Sequence, residues 1–367
     1  MRRTLIFGAP PNAEQNYEKR SPEEISIFSA TSLNIFFITR LATNDSVAGL
    51  KSMKEMIVVA IFVWGGAYVA PAQTSLQFNV KGVQDNGQLL LQLAGKAGHN
   101  YRIDASPDLF DWSFLSSSNP PSGTFEYLET KTGTLPQRFY RATESPEVVG
   151  QVRNLGRGTV RSWVRVDGAG KPAAIGVTLT EAALTNLPSS GSELVLLLPQ
   201  PAEVTAFNHI GLNWNPQGHP PPGIYGVPHF DVHFYTISQQ ERKSINLNDG
   251  GTKMYRDPDP QYLPQDYVLS PGSGDPGQGS HWGDQAAPEL NGEPFTYTFI
   301  YGYYDGQLTF LEPMVTRVFL KTNSTVIADI KQPAAFSKPG LYPTQYQVTH
   351  SSLFREFSIS LEGLTSR

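Results

Sequence analysis

The residues able to do chemistry are concentrated in one stretch. Asn208 to Phe234 reads NHIGLNWNPQGHPPPGIYGVPHFDVHF and holds four of the seven histidines, and a fifth, His281, follows in the Gly-rich SHWGD segment. Alternation through PHFDVHFY sets His229, Asp231 and His233 on one face of a strand and Phe230, Val232 and Phe234 on the other. The apolar face is core, and the polar face is a candidate site. At about 3.3 Å per residue, His229 and His233 stand roughly 13 Å apart on a regular strand, too far to share one ion. Neighbours two apart are separated by about 6.6 Å and can converge with a ligand from elsewhere. A metal site therefore uses Asp231 with one of these histidines, completed by His219, His281 or Glu312. Imidazole and carboxylate donors without sulfur suit a divalent ion: zinc, or iron or manganese where the geometry is open.

The same residues also read as a polar network, in which Asp231 accepts hydrogen bonds from the imidazoles and orients them. A third reading is an acid–base pair. There is no G-x-S-x-G elbow and no serine in a supporting context, so a hydrolase triad is not indicated. His209 alternates with Phe207 and Gly211 and reads as a core histidine, His99 as a solvated turn residue, and His350 as isolated. The prolines between His219 and Pro228 rigidify the approach to the strand. His281 lies in a loop that is either a lid or simply solvated.

The elements that must position these groups are strands. Abundant Gly and Pro (33 and 29 residues), sparse charge (17%) and plentiful Tyr and Phe predict a mainly β chain with many turns and few long helices. Residues 73–145 read as a small β-sandwich module, with short runs such as SLQFNV, QLLLQLAG and NYRIDAS between turn signals. Within NYRIDAS, Tyr101, Ile103 and Ala105 face the core, while Arg102 and Asp104 take the other side of a half-buried strand. Ser145-Pro146-Glu147 reads as a linker.

Residues 150–367 read as a larger β-rich domain, barrel or sandwich-like, with short helices. GTVRSWVRVD and PAAIGVTLT pair across Gly168–Lys171, and Ser238 with Glu241 forms a capping box. Residues 250–291 read as one long loop, the kind that is functional or disordered. The Asp305-Gly306 turn pairs Tyr304 with Gln307, Tyr303 with Leu308 and Tyr301 with Phe310. Counting on sets Glu312 opposite Phe299, on that same aromatic face, where a carboxylate needs water or a partner.

Composition excludes several classes. With no cysteine there is no disulfide, thiolate zinc site or Cys nucleophile. A net charge of −5 supplies no basic face for nucleic acid. At the front, residues 1–52 show no sustained period and read as an unstructured upstream extension. Met53-Lys54-Glu55, the apolar run Met56–Val69 and Ala70-Pro71-Ala72 form a signal peptide over 53–72, too short for a membrane span. The mature chain is then secreted or periplasmic, with no stable membrane span after cleavage.

Two resemblances accompany this reading. Gly95 to Arg141, through Tyr101–Ser106, Asp108-Leu109, Trp112 and Arg138–Arg141, resembles a short β-module that recurs in secreted bacterial proteins as an accessory unit. Gly158 to Leu320, through GTVRSWVRVD, FNHIGLNWNPQGHPPPGIYGVPHFDVHFY, SHWGD and FTYTFIYGYYDG, resembles a bacterial family of unknown function named after a Thermus protein controlled by a stress sigma factor. The resemblance implies an extracytoplasmic β-rich domain and supplies no activity. The leading expectation is a non-catalytic envelope or ligand-binding protein, its ligand unidentified, with a divalent metal on the His-x-Asp-x-His strand. A metal-dependent enzyme is the alternative, with the 271–284 loop closing over the ion. A structural protein forming homo-oligomers is the third reading.

Overall fold

The computed structural model describes residues 26–30, 33–37, 60–64, 76–83, 88–130, 138–221 and 223–367. Most of the expected upstream extension and signal peptide, and Pro222 of the proline loop, lie outside these residues. Within them, β1 (Ser26–Ala30) and β2 (Leu33–Phe37) pair antiparallel, and β3 (Ala60–Trp64) runs beside β2.

The runs SLQFNV, QLLLQLAG and NYRIDAS lie on strands, and the strands of this part are β4 (Gln77–Val83), β5 (Leu89–Ala94), β6 (Tyr101–Ser106), β7 (Ser113–Ser118), β8 (Thr124–Glu129) and β9 (Phe139–Glu144). One sheet runs β4-β5-β8. The other continues from β1-β2-β3 through β9-β6-β7. Phe78, Leu91, Leu93, Tyr101, Ile103 and Tyr140 fill the space between them. Tyr140 is thus core, and Trp112 lies under the Arg141 guanidinium, 4.3 Å from its ring centroid.

Only Ser145 and Pro146 separate β9 from the next strand. A six-stranded antiparallel sheet is ordered β10 (Glu147–Leu155), β11 (Gly158–Val166), β12 (Pro172–Thr180), then β23 (Glu356–Glu362), β22 (Gln345–Ser351) and β20 (Val326–Asp329). A seven-stranded sheet is ordered β13 (Ser192–Leu197), β14 (His209–Asn215), β15 (His229–Tyr235), β19 (Gln307–Thr316), β18 (Tyr297–Tyr304), β17 (Gly279–Asp284) and β16 (Tyr267–Asp275). The inner faces of these two sheets meet in one core that includes Val164, Val177, Ile359, Leu212, Phe230, Val232, Tyr301 and Leu311. The domain is a sandwich with no closed barrel. The only α-helices among the described residues are α1 (Gln239–Ser244), started by the expected Ser238–Glu241 capping box, and α2 (Arg317–Leu320). Among the described residues no helix is long and apolar enough to cross a membrane.

Three expectations are corrected. The 250–291 stretch is not one loop: β16 and β17 form a strand pair at the edge of the seven-stranded sheet, and His281 stands on β17. Its glycines suggest a loop, yet Gly274 and Gly279 sit where a Cβ would collide with Tyr255 and Met254 or with Tyr303. The 271–284 segment therefore does not form the lid expected of it.

The second correction concerns register. Asp305 (φ 54) and Gly306 (φ 73) make the expected turn, and Tyr304–Gln307 and Tyr303–Leu308 pair as counted. Beyond them the register shifts by one, and Gly302 pairs Phe310, Tyr301 pairs Leu311 and Ile300 pairs Glu312. Thr309 is the extra residue of this β-bulge, its carbonyl accepting from Thr236 N and that of Leu308 from Thr236 Oγ1. A one-residue shift turns every following side chain to the opposite face. Phe310 and Glu312 thereby leave the face of Tyr301 and Tyr303 and join that of the histidines.

Third, β6 is buried on both faces. Arg102 meets Glu356 of the six-stranded sheet, and Asp104 is bound by Arg102 and Arg141. Arg102 forks onto Glu356 at 2.9 and 2.9 Å, Arg161 forks onto the same carboxylate at 2.7 and 2.8 Å, and Arg141 reaches Asp104 at 3.1 Å. A polar cavity of about 300 Å³, lined by Arg102, Trp163, Glu356 and Glu362 among others, runs along this contact.

Candidate metal centres

β15 is the middle of the site. It is flanked by β14 and β19, and all seven of its residues are buried. Phe230, Val232 and Phe234 enter the sandwich core as their alternation requires. His229, Asp231 and His233 point to the outer face of the sheet, where Tyr225, Tyr235, Ile245, Met254, Phe295, Ile300, Phe310 and Met314 form a second, smaller apolar cluster. Ile224 and Tyr225, with Ile245 and Met254 of the chain after α1, thus cover much of this face.

The six candidate residues separate into two groups of three. His219, His229 and Asp231 form one, and His233, His281 and Glu312 the other, the ligand atoms of each group lying within 4.8 Å of one another. The strand spacing that forbids His229 and His233 from sharing an ion is the cause. Each finds its own carboxylate, and Asp231 goes with His229.

In the outer group Asp231 Oδ1 lies 3.1 Å from His229 Nε2 and Oδ2 lies 3.5 Å from His219 Nε2. His229 Nδ1 is 2.6 Å from Val227 O, and His219 Nδ1 is 2.8 Å from Pro220 O. A carbonyl can only accept, so in both rings Nδ1 carries a proton, and while the ring is neutral Nε2 keeps its lone pair toward Asp231. Asn215 on β14 is paired across from His229, and its amide approaches Asp231 Oδ2 at 2.6 Å and His229 Nε2 at 3.4 Å. Burial alone would raise the Asp231 carboxyl, but the two imidazoles turned toward it outweigh that and hold it below its ordinary range. Burial likewise opposes protonation of His219, and Asp231 reverses the balance and raises it.

The inner group is more enclosed. His233 Nε2 is 3.3 Å from Glu312 Oε1 and His281 Nε2 is 3.7 Å from Glu312 Oε2, with side-chain exposures of 1%, 1% and 13% for His233, Glu312 and His281. The register pairs Asp231 with Met314 and Phe234 with Leu311, which brackets Glu312 opposite His233. His281 arrives from two strands further on, at Gly302, which has no side chain to block it. His281 Nδ1 is 3.1 Å from Ser273 O, so its Nε2 too is free to act as a ligand. His233 is held by packing, stacked on Tyr235 at 5.6 Å and edge-on to Phe310 at 4.7 Å between centroids. Burial pushes His233 down to about 3, lowers His281 and raises Glu312. Without an ion, burial thus works against charge on each of these three groups.

Both arrangements are two imidazoles and one carboxylate, a donor set that suits zinc, iron or manganese and leaves coordination positions free. The separations of 3.1–3.7 Å between neighbouring donors approach the edge of about 3.4 Å of a tetrahedron with metal–ligand bonds of about 2.1 Å. The remaining histidines lie elsewhere. His209 is fully buried and stacks on Tyr235 at 4.7 Å, with Nδ1 near Asn208 but Nε2 unpartnered. His99 meets Glu144, and His350 meets Glu181. Sequence reasoning missed Asn215, Gly302 and Phe310. Asn213 and Asn215 alternate with Leu212 and Trp214 in GLNWN, and that alternation was the available signal for an amide on the histidine face.

A family model described as TTHB210-like, hypothetical protein TTHB210, matches residues 167–214. This is the family that the sequence motifs resemble, and the matched segment spans β12 to β14, ending before the six candidate ligands. No curated protein and no solved structure shows a match to the chain.

Proposed function

We propose that the protein is an extracytoplasmic, divalent-metal-binding protein, with the ion held between His233, His281 and Glu312. The observation that carries this reading is the state of the buried polar atoms. Both ring nitrogens of His233 and Oε2 of Glu312 are shut from water without a hydrogen-bond partner. Leaving such groups unsatisfied costs about 1–3 kcal/mol each, and a cation between them satisfies His233 Nε2 and Glu312 Oε2 together. The signal peptide read at 53–72 supports the compartment, and the acidic balance argues against nucleic acid as a partner.

The enclosure of this group supports a structural or binding role for the ion. A metal-dependent enzyme is the second reading, favoured by the free coordination positions that three protein ligands leave, where a water could be activated. Elemental analysis of the purified protein beside a Glu312→Gln variant tests the first reading. Near-stoichiometric zinc, iron or manganese that is lost in the variant supports it. Equal metal content in the two, or none after incubation with all three ions, rejects it.

A further inference from the structure

We propose that the outer group is a second, independent metal site, and that Asn215 supplies its fourth ligand through the amide oxygen. This goes beyond the ion assigned to His233, His281 and Glu312 and does not depend on it. The argument starts from a shortage of protons. Nδ1–H of His229 and of His219 is committed to the carbonyls of Val227 and Pro220. While the rings are neutral, both Nε2 atoms and both Asp231 oxygens are acceptors aimed at one another, and they need either a further proton or a cation between them. The Asn215 amide, as placed, approaches only Asp231 Oδ2 and His229 Nε2. It leaves Asp231 Oδ1 unpartnered on a side chain that is 7% exposed. A cation satisfies every one of these atoms.

The oxygen and nitrogen of an Asn amide exchange places by a half-turn of the side chain, and which is which follows from the partners. Beside a cation the oxygen takes the inward position. The donor set becomes two imidazole nitrogens, one carboxylate oxygen and one amide oxygen, contributed by β14, β15 and the 216–228 loop. Four such donors fit zinc-class divalent ions. Three of them stand on adjacent strands. The fourth, His219, is on the loop, and its side chain is 34% exposed. The inner ligands all come from strands. The outer ion therefore exchanges with solvent, while the inner one is retained.

Chelator-stripped protein titrated with zinc against a colorimetric chelator separates the two sites. Wild type is expected to take two equivalents, one tight and one weaker. Asn215→Ala should weaken the second at least 10-fold, and His219→Ala, a change on an exposed loop with little risk to folding, about 100-fold. Both should leave the first unchanged, whereas Glu312→Gln should remove the first and spare the second. Asn215→Asp separates ligand from hydrogen-bond donor. A ligand position binds the second ion at least as tightly with a carboxylate, whereas a donor position sets two carboxylates against each other and melts at a lower temperature without retaining the ion. Zinc uptake that is indifferent to both Asn215→Ala and His219→Ala, whether one equivalent or two, overturns the proposal. Loss of the first equivalent alone would count against the inner ion and leave this site standing.

Discussion

His233 Nε2 and Glu312 Oε1 stand 3.3 Å apart without forming a hydrogen bond, in a position almost closed to water. The bulge at Thr309 creates this relationship, because without it Glu312 would point among Tyr301, Tyr303 and Leu308. The first prediction follows from the raised Glu312 carboxyl. Glutamine is close in shape to a protonated carboxyl, so Glu312→Gln should change the metal-free stability by about 1 kcal/mol or less. Metal at one hundred times its dissociation constant should stabilise wild type by about 2.7 kcal/mol and the variant by much less. Melting with and without a chelator measures both. An equal metal-induced shift in the two proteins removes Glu312 from the ligand set.

Gly302 tests whether packing governs the inner group. A Cβ there would sit 2.1 Å from the Phe310 ring, which itself packs on His233 and His281. Gly302→Ala must displace Phe310, and overpacking of this kind costs about 1–3 kcal/mol. The variant should lose stability and bind the inner ion more weakly, with the His219–His229–Asp231 group unaffected. Wild-type binding in a destabilised variant would show that Phe310 does not set the imidazole positions.

These two residues also show what could be read in advance. The alternation of PHFDVHFY and the Asp305-Gly306 turn rest on local chemistry, a period of two and two positive φ angles, and both are visible in the chain. Strand rise alone keeps His229 and His233 from sharing an ion, but it does not show that His281 and Glu312 gather at His233 rather than complete a site on Asp231. The bulge is different. Thr309 is an ordinary strand residue, and it is extra only because Thr236 of the connection after β15 bonds to the carbonyls on either side of the shift. Gly274, Gly279 and Gly283 suggested a loop because glycine is scarce in strands, whereas here Gly274 and Gly279 admit close neighbours. Arg102 and Asp104 read as the open side of a half-buried strand because the partner of Arg102, Glu356, is 254 positions away, and Asp104 is enclosed with it by Arg102 and Arg141.

Glu356 is the basis of the third prediction. Burial would raise its carboxyl, but Arg161 and Arg102 outweigh this and bring it to about 2. Removing it leaves two buried guanidiniums without their shared partner, and breaking a buried pair in this way costs about 3–5 kcal/mol. Glu356→Ala should therefore weaken the contact between the module of β4–β9 and the main domain. Limited proteolysis near Ser145-Pro146 and denaturant melts should both report it. Unchanged resistance and an unchanged midpoint would show that the clamp is dispensable.

The same carboxylate and His209 together set the response to acid. Burial first, then Arg242, lower His209 to about 4 from an ordinary 6.5. A histidine whose folded pKa lies below its unfolded one contributes stability above pH 6.5 that is lost as pH falls toward 4, since the unfolded chain takes the proton first. Glu356 contributes stability above pH 4.5 that is lost as pH falls toward 2. The metal-free protein should therefore weaken in two stages, the first belonging to histidine and worth up to about 3 kcal/mol for His209. His209→Gln keeps a polar group beside Tyr235 but cannot take the proton. It should reduce the pH dependence between 6.5 and 4, where His233 keeps its own share, and leave the loss below 4.5 in place. Denaturant melts across pH 3–8 decide the matter: an undiminished upper stage would assign that acid sensitivity to His233 and His281 instead.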